Sequence, residues 1–424
     1  MTTVHRPYVR AESADEVDLK RLTQFVRGDA HHAWRMLRDD KPVHWTEGNE
    51  YIPGFWSITK YEDIITVSRD TTTFISSRGI NIATNYEQAT DASGLGKMLI
   101  TMDPPRHVRL RRLVNKGFTP KMVAQMEPHV REITTAILDS VAPQGQCDFV
   151  TQVAARLPLA VICEMMGIDR KDWDLMFDLT NRVLGAEDPE YQDTDEPSAE
   201  SARATAAEGQ RRMFMTFARI VAERRQHRRD DLLSILIDAE IDDEKLSDEE
   251  ILYFAYLLIL AGNETTRNAI SGGMLAFVEN PAERARLAAD PSLIDSAVEE
   301  VLRYTSPVMH MTRYATVDTA IRGQAIRAGE RVAMWYPSAN RDADIFPEPD
   351  RFDIGRTPNE HLAFGLGEHF CLGAGLARLE LRVIYQEIFR RLPDIELAGD
   401  VERLRSNFIG GIKHMPVRFT PERP

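Results

Sequence analysis

Three short stretches of the chain hold residues whose types and spacing could do chemistry. The first is Phe364-Gly365-Leu366-Gly367-Glu368-His369-Phe370-Cys371-Leu372-Gly373, with two glycines ahead of a cysteine and a third just after it. A helical apolar pattern follows over 374–388, so the cysteine closes a tight loop at the start of a helix. Unpaired backbone N–H groups and the helix dipole favour an anion there, which predicts a Cys371 thiolate suited to ligating a metal. A buried structural cysteine is the alternative. The second stretch, Ala261-Gly262-Asn263-Glu264-Thr265-Thr266, sets an acid and two hydroxyls in an apolar helix, where they are costly. Thr265 can bond back to the carbonyl of Ala261 and Gly262 weakens the ladder. A local bend is therefore expected, opening a groove lined by a hydroxyl; a satisfied polar kink is the alternative. In the third, Asp103-Pro104-Pro105-Arg106-His107-Val108-Arg109-Leu110-Arg111, the prolines start a helix, and the spacing puts His107 and Arg111 on one face.

The cysteine loop resembles the haem-ligand loop of the cytochrome P450 family, Phe-x-x-Gly-x-x-x-Cys-x-Gly, with Phe364, Gly367, Cys371 and Gly373 in register. That resemblance implies heme b (iron protoporphyrin IX), with Cys371 as the proximal thiolate on its iron. It also implies cofactor contacts from Ala261, Phe364, Gly365 and Gly373, and propionate partners in His107, Arg111, Arg313 and His369. The stretch at 261–266 resembles the family's oxygen-activation motif, Ala/Gly-Gly-x-Asp/Glu-Thr-Thr/Ser. On that mapping Glu264 and Thr265 are catalytic: the hydroxyl orders water and bonds bound dioxygen, and the acid relays protons. Splitting O–O heterolytically takes two protons, and relays of this kind contribute roughly 10²–10⁴-fold.

The elements that must position these residues can be read in outline. Ser247-Asp248-Glu249-Glu250 is a capping box, and the helical pattern behind it continues to Glu279, where Asn280-Pro281 stops it. Such a helix is about 48 Å long and, being apolar nearly all round in its first half, is central. Glu300 and Arg303 share a helix face and match the family's Glu-x-x-Arg; by resemblance the segment Phe346–Phe352 donates a second arginine, Arg351, to the same carboxylate. Residues 51–67 read as a strand then a helix, and 78–100 as a long loop that in the family covers the substrate pocket. The acidic stretch 185–206 is a connector, a lid by resemblance or simply a solvated loop. After Pro307 the chain looks extended, with His310 given no role. Residues 407–419 read as a hairpin whose tip enters the pocket. Phe408 and Ile409, with Leu257, Leu260, Ala261 and Met309, then line an apolar substrate cavity, although core packing explains the same residues. Arg106, Arg109, Arg112 and Lys116 form a solvated basic face, with a possible second use in docking an acidic ferredoxin.

Composition sets the frame. The chain has 424 residues, 43% hydrophobic and 28% charged, enough for a large core. With no linker and no repeat it reads as one mainly α unit with small β-sheets (α+β), the cytochrome P450 fold by resemblance. Residues 1–50 form an N-terminal extension and first helix, 51–100 a β-rich part with the substrate loop, and 101–424 the helical haem-binding core. A net charge of −14 argues against a nucleic-acid partner. Three cysteines at unrelated spacings suggest no disulfide framework and hence the cytoplasm, and no apolar run is long enough to span a membrane. The resemblance implies a monomeric haem-thiolate monooxygenase that uses O2 and electrons from a ferredoxin and its NAD(P)H-dependent reductase. Its product is a hydroxylated hydrophobic molecule: a sterol side chain, a methyl-branched lipid or a terpenoid. A peroxide-driven enzyme and a haem-based sensor or binding protein are the other classes, neither of which needs the Glu264-Thr265 pair.

Overall fold

The computed structural model describes residues 10–83, 94, 96–192, 194, 196–241 and 244–422. Residues 84–93 and 95 of the predicted loop at 78–100 therefore lie outside the described residues. Helices dominate. The capping box forms as expected: Ser247 accepts from the Glu250 amide, the Glu250 carboxylate accepts from the Ser247 amide, and one helix runs from Asp248 to Glu279.

Two hydrophobic clusters divide this central helix. Its first half, Ile251 to Leu260, packs with Leu99, Met102, Leu110, Cys163, Leu179 and Phe217. Its second half, Ala269 to Phe277, packs with Val298, Val301, Leu302, Leu379, Val383 and Tyr385. The polar stretch 261–268 falls at the break between the two cores, where a helix can carry side chains that neither core accepts. Gly262 has a packing reason. A Cβ there would stand 3.1 Å from Ile162 of the helix Arg156–Met165, so glycine lets the two helices approach.

The cysteine helix, Ala374–Arg391, is tied to the central helix by Tyr385, whose hydroxyl donates to the carbonyls of Ile270 (2.9 Å) and Ala269 (3.2 Å). Gly273 leaves the space, since a Cβ there would lie 2.1 Å from that hydroxyl.

The larger sheet has five strands in the order Val43–Thr46, Phe55–Ile58, Arg331–Trp335, His310–Ala315, Phe74–Ile75. Only the pairing of Arg331–Trp335 with Phe55–Ile58 is parallel. The predicted C-terminal hairpin does not form. Ile412–His414 pairs with Glu402–Arg403, while Pro416–Arg418 pairs with Gln146–Asp148 and Glu396–Leu397, so adjacent strands enter different sheets. The acidic connector is shorter than expected because Ser198 and Ser201 cap a helix that begins at Ala199. Its first part is pinned. Buried Asp188 accepts from the Arg405 amide (2.9 Å) and from Lys413 (3.1 Å), and Glu190 pairs with His414 (2.9 Å).

Candidate functional site

The cysteine loop folds back on itself. Gly365 and Gly367 take φ of 68° and 72°, a left-handed backbone that side chains resist, and the turn they make lets the Cys371 amide donate to the Phe364 carbonyl at 2.9 Å. Arg378, from the cysteine helix, lies 4.6 Å over the Phe364 ring and forks onto Glu299 at 2.6 and 2.9 Å. His361 donates to the same carboxylate (3.1 Å), which holds Glu299 down to about 2 against the opposing effect of burial.

Cys371 departs from the expected ready-made thiolate. The helix begins three residues later, at Ala374, and burial pushes the thiol up; the Gly373 N–H, Arg111 and Arg378 oppose that without reversing it. Desolvation outweighs the nearby helix terminus. A metal bound there would deprotonate the thiol outright, which the loop alone does not do.

On the central helix, the Thr265 hydroxyl donates to the Ala261 carbonyl at 2.7 Å, as anticipated, and the helix stays continuous. Ala261 is exposed although it sits in the middle of a buried helix, and Thr265, one turn on, is half-buried on the same face. Glu264 points elsewhere. It is fully buried in an ion pair with Arg267 and accepts from Asn268 at 3.2 Å; Arg267 also donates to Asn181 at 2.7 Å. Burial raises the Glu264 carboxyl, with Arg267 and Asn268 opposing, and its Oε2 has no partner among the described residues. Acid and hydroxyl are adjacent in sequence but not on one face.

Beside the cysteine loop lies a cluster of basic groups. The rings of His107 and His369 stand 4.2 Å apart. Both ring nitrogens of His107 are buried without a hydrogen-bond partner among the described residues, with the Glu368 carboxylate 4.0 Å away. His369 meets the Ser76 hydroxyl at 3.1 Å. Burial lowers His107 to about 4 and His369 to about 2, with neighbouring cations adding to the effect. Arg313 is buried and donates to the Thr312 carbonyl at 2.8 Å. Arg111 shares the helix face of His107 as predicted but has partners of its own, the Phe370 carbonyl (2.5 Å) and Asn115 (3.1 Å). It braces the cysteine loop.

The buried carboxylate Glu300 is clamped as expected, but by a different second arginine. Arg303 forks onto it at 2.8 Å through both nitrogens, Arg356 Nε follows at 3.1 Å, and Asn359 and the Asp353 amide add bonds at 3.1 and 2.9 Å. Arg351 is half exposed, pairs with Glu348 and offers Glu300 nothing. Its contribution is its carbonyl, which accepts from Arg303 and Arg356, both at 3.0 Å. The sequence reading missed Arg356 because its coil has no periodicity.

The expected lining residues fall into two groups. Met309, Phe408 and Ile409 meet through backbone pairing: the Met309 amide donates to the Phe408 carbonyl (2.9 Å) and Gly410 to Pro307 (2.7 Å). Leu257 and Leu260 pack in the cluster of the central helix's first half, so core packing accounts for them. The two groups belong to elements that touch farther along, where a Gly411 Cβ would meet Asn268 at 2.5 Å.

These residues fit a haem. Unpartnered buried imidazole nitrogens and a buried guanidinium suit propionates, a Cβ on Gly373 would meet nothing within 4 Å, and Cys371 offers the soft ligand. A soft sulfur ligand in a glycine-turned loop, with buried imidazole nitrogens and a guanidinium beside it to meet carboxylates, defines a haem-thiolate protein.

The chain belongs to the cytochrome P450 family: residues 53–397 match the family model for Cytochrome P450. It is 42% identical to a methyl-branched lipid omega-hydroxylase of Mycobacterium tuberculosis, over 92% of this chain and 90% of that one. It is 37% identical to a steroid C26-monooxygenase of the same species, over 97% and 99%. Among solved structures, a Mycobacterium marinum cytochrome P450 in complex with pseudoionone superposes with a TM-score of 0.87 at 36% identity, covering 98% of this chain and all of the other. The chain is thus a cytochrome P450 monooxygenase with a haem cofactor. Among the described residues no helix is long and apolar enough to cross a membrane.

Proposed function

We propose that this monooxygenase hydroxylates a C–H bond of an extended hydrophobic molecule, a methyl-branched lipid, a steroid side chain or a terpenoid. O2 is the oxidant, and the electrons come from a ferredoxin and its NAD(P)H-dependent reductase. The observation that carries this reading is the family match over residues 53–397, which contains both the glycine-turned Cys371 loop and the Ala261–Thr266 stretch of the central helix. Near-full-length similarity to a lipid hydroxylase and a steroid monooxygenase supports the substrate class.

When bound, haem supplies the oxidising iron centre. Cys371 is its ligand; His107, Arg313 and His369 hold the propionates, with Arg111 behind the loop. Ala261, Phe364, Gly365 and Gly373 give the porphyrin its walls. Thr265 holds the ordered water next to the reacting oxygen. Glu264 is the proton source, and delivery takes a turn of its side chain away from Arg267 toward the Thr265 face. Leu257, Leu260, Met309, Phe408 and Ile409 exclude water and hold the substrate. The exposed arginines of the helix Arg106–Val114 meet the acidic ferredoxin; the Lys116 side chain lies outside the described residues.

The test is reconstitution with NADH, a ferredoxin and its reductase, following substrate-dependent turnover of a methyl-branched fatty acid and a steroid ketone. Product with the redox partners supports the proposal. Product only when peroxide is supplied overturns the electron route, and no product from either compound overturns the lipid and steroid assignments.

A further inference from the structure

We propose that His310 is a positioning residue for substrate selectivity: its imidazole ties the backbone at Ile82 to the backbone at Asn407 and so sets where Met309 and Phe408 stand. The inference rests on the reading above that these two side chains face the substrate.

His310 opens the strand His310–Ala315 and is wholly buried. The Ile82 amide donates to its Nε2 at 3.2 Å, and its Nδ1 stands 2.9 Å from the Asn407 carbonyl. A carbonyl can only accept and an amide N–H only donate. The ring is therefore neutral with its proton on Nδ1, and each nitrogen is committed to a different segment. Burial, with Arg331 adding to it, holds the imidazole down to about 3, so neither bond is lost to protonation near neutrality. The ring is wedged between Trp335 (4.8 Å) and Phe408 (5.3 Å), which fixes its plane.

The two tied segments are otherwise held from one side. Residues 79–82 lean on the same strand through Thr312, whose amide and hydroxyl donate to Ile80 (2.8 Å) and Gly79 (3.0 Å). Arg331 takes the Ile82 carbonyl. The 407–410 turn pairs with Pro307 and Met309, and Asn407 reaches Leu19 at 3.1 Å. His310 joins the two sets. A lone histidine in the sequence carries no sign of this, because its partners are both backbone groups far away in the chain.

The experiment compares wild type, H310F and H310Q as holoproteins. Affinities for a steroid ketone, a methyl-branched fatty acid and pseudoionone are read from the Soret spin-state shift, and amide exchange is followed at 80–83 and 407–410. Phenylalanine fills the space but makes neither bond; the glutamine amide can donate and accept. We expect H310F to keep the reduced carbon monoxide spectrum of wild type and to weaken the best-bound probe about tenfold, the scale of one lost buried hydrogen bond. It should also level the ranking among probes and speed exchange at both segments, and H310Q should restore most of each. Wild-type affinities and ranking in H310F overturn the proposal, as does equal loss in both variants. Should H310F not hold haem, nitrogen NMR of the wild-type reduced carbon monoxide complex decides: a proton on Nδ1 alone supports the assignment, and any other state of the ring refutes it. Failure of the haem-thiolate reading itself shows separately, as a wild-type spectrum without the thiolate signature.

Discussion

Glu264 and Arg267, one turn apart on the central helix, form an ion pair whose side chains are only 2% and 3% exposed. Breaking such a pair from one side leaves a charge in the core, at about 3–5 kcal/mol. Arg267→Leu should lose stability on that scale in chemical denaturation. The sign of its pH dependence follows from the carboxyl, which burial raises above its ordinary 4.5 and which loses its opposing cation in the variant. The folded state then holds the proton more tightly than the unfolded one, so the variant is most stable at low pH and weakens as pH rises past the unfolded carboxyl value. Stability that stays flat between pH 4 and 8 would count against the pair.

Arg356, not Arg351, is the second guanidinium on Glu300. Arg356→Ala and Glu300→Ala should each destabilise by about 3–5 kcal/mol and yield protein poor in haem, whereas Arg351→Ala should cost about 0.5 kcal/mol or less. Haem content per chain and urea midpoints check this. A milder Arg356 variant than Arg351 variant contradicts the assignment.

These two cases show what the sequence makes legible. The capping box at Ser247 and the period behind it predict the central helix to its last residue because helix signals are local. The Glu300–Arg303 pair is local too, three residues apart on one turn. Arg356 lies in irregular chain, and choosing between it and Arg351 takes the tertiary path of the coil. The false hairpin has the same cause: Ile412–His414 and Pro416–Arg418 are adjacent, yet each finds its hydrogen bonds in a distant segment. Motif spacing named Cys371, but only the folded chain shows the burial that pushes its thiol up.

Glu299, held down to about 2 by His361 and Arg378, supplies acid sensitivity. Its folded-state value is depressed, so its contribution is complete above about pH 4.5 and drains away as pH falls toward 2. Glu299→Gln should show a shallower loss of stability across that window, followed by fluorescence on acid titration. An unchanged acid limb removes Glu299 from the account.

The Thr265 hydroxyl donates to the Ala261 carbonyl, and its proposed role is to hold water there. Thr265→Ala should keep haem and substrate affinity while a larger share of NADH is consumed without product and appears as peroxide, within the roughly 10²–10⁴-fold range of proton-delivery effects. Coupling equal to wild type argues against the role.

The most direct test of the central claim is the absorption spectrum of the reduced protein under carbon monoxide. With the Cys371 sulfur on the iron, the Soret band lies far to the red of that of histidine-ligated haem, and Cys371→Ser abolishes the shifted band while leaving a folded chain. A band at the ordinary position in fresh wild-type protein, or a shifted band that survives Cys371→Ser, contradicts it.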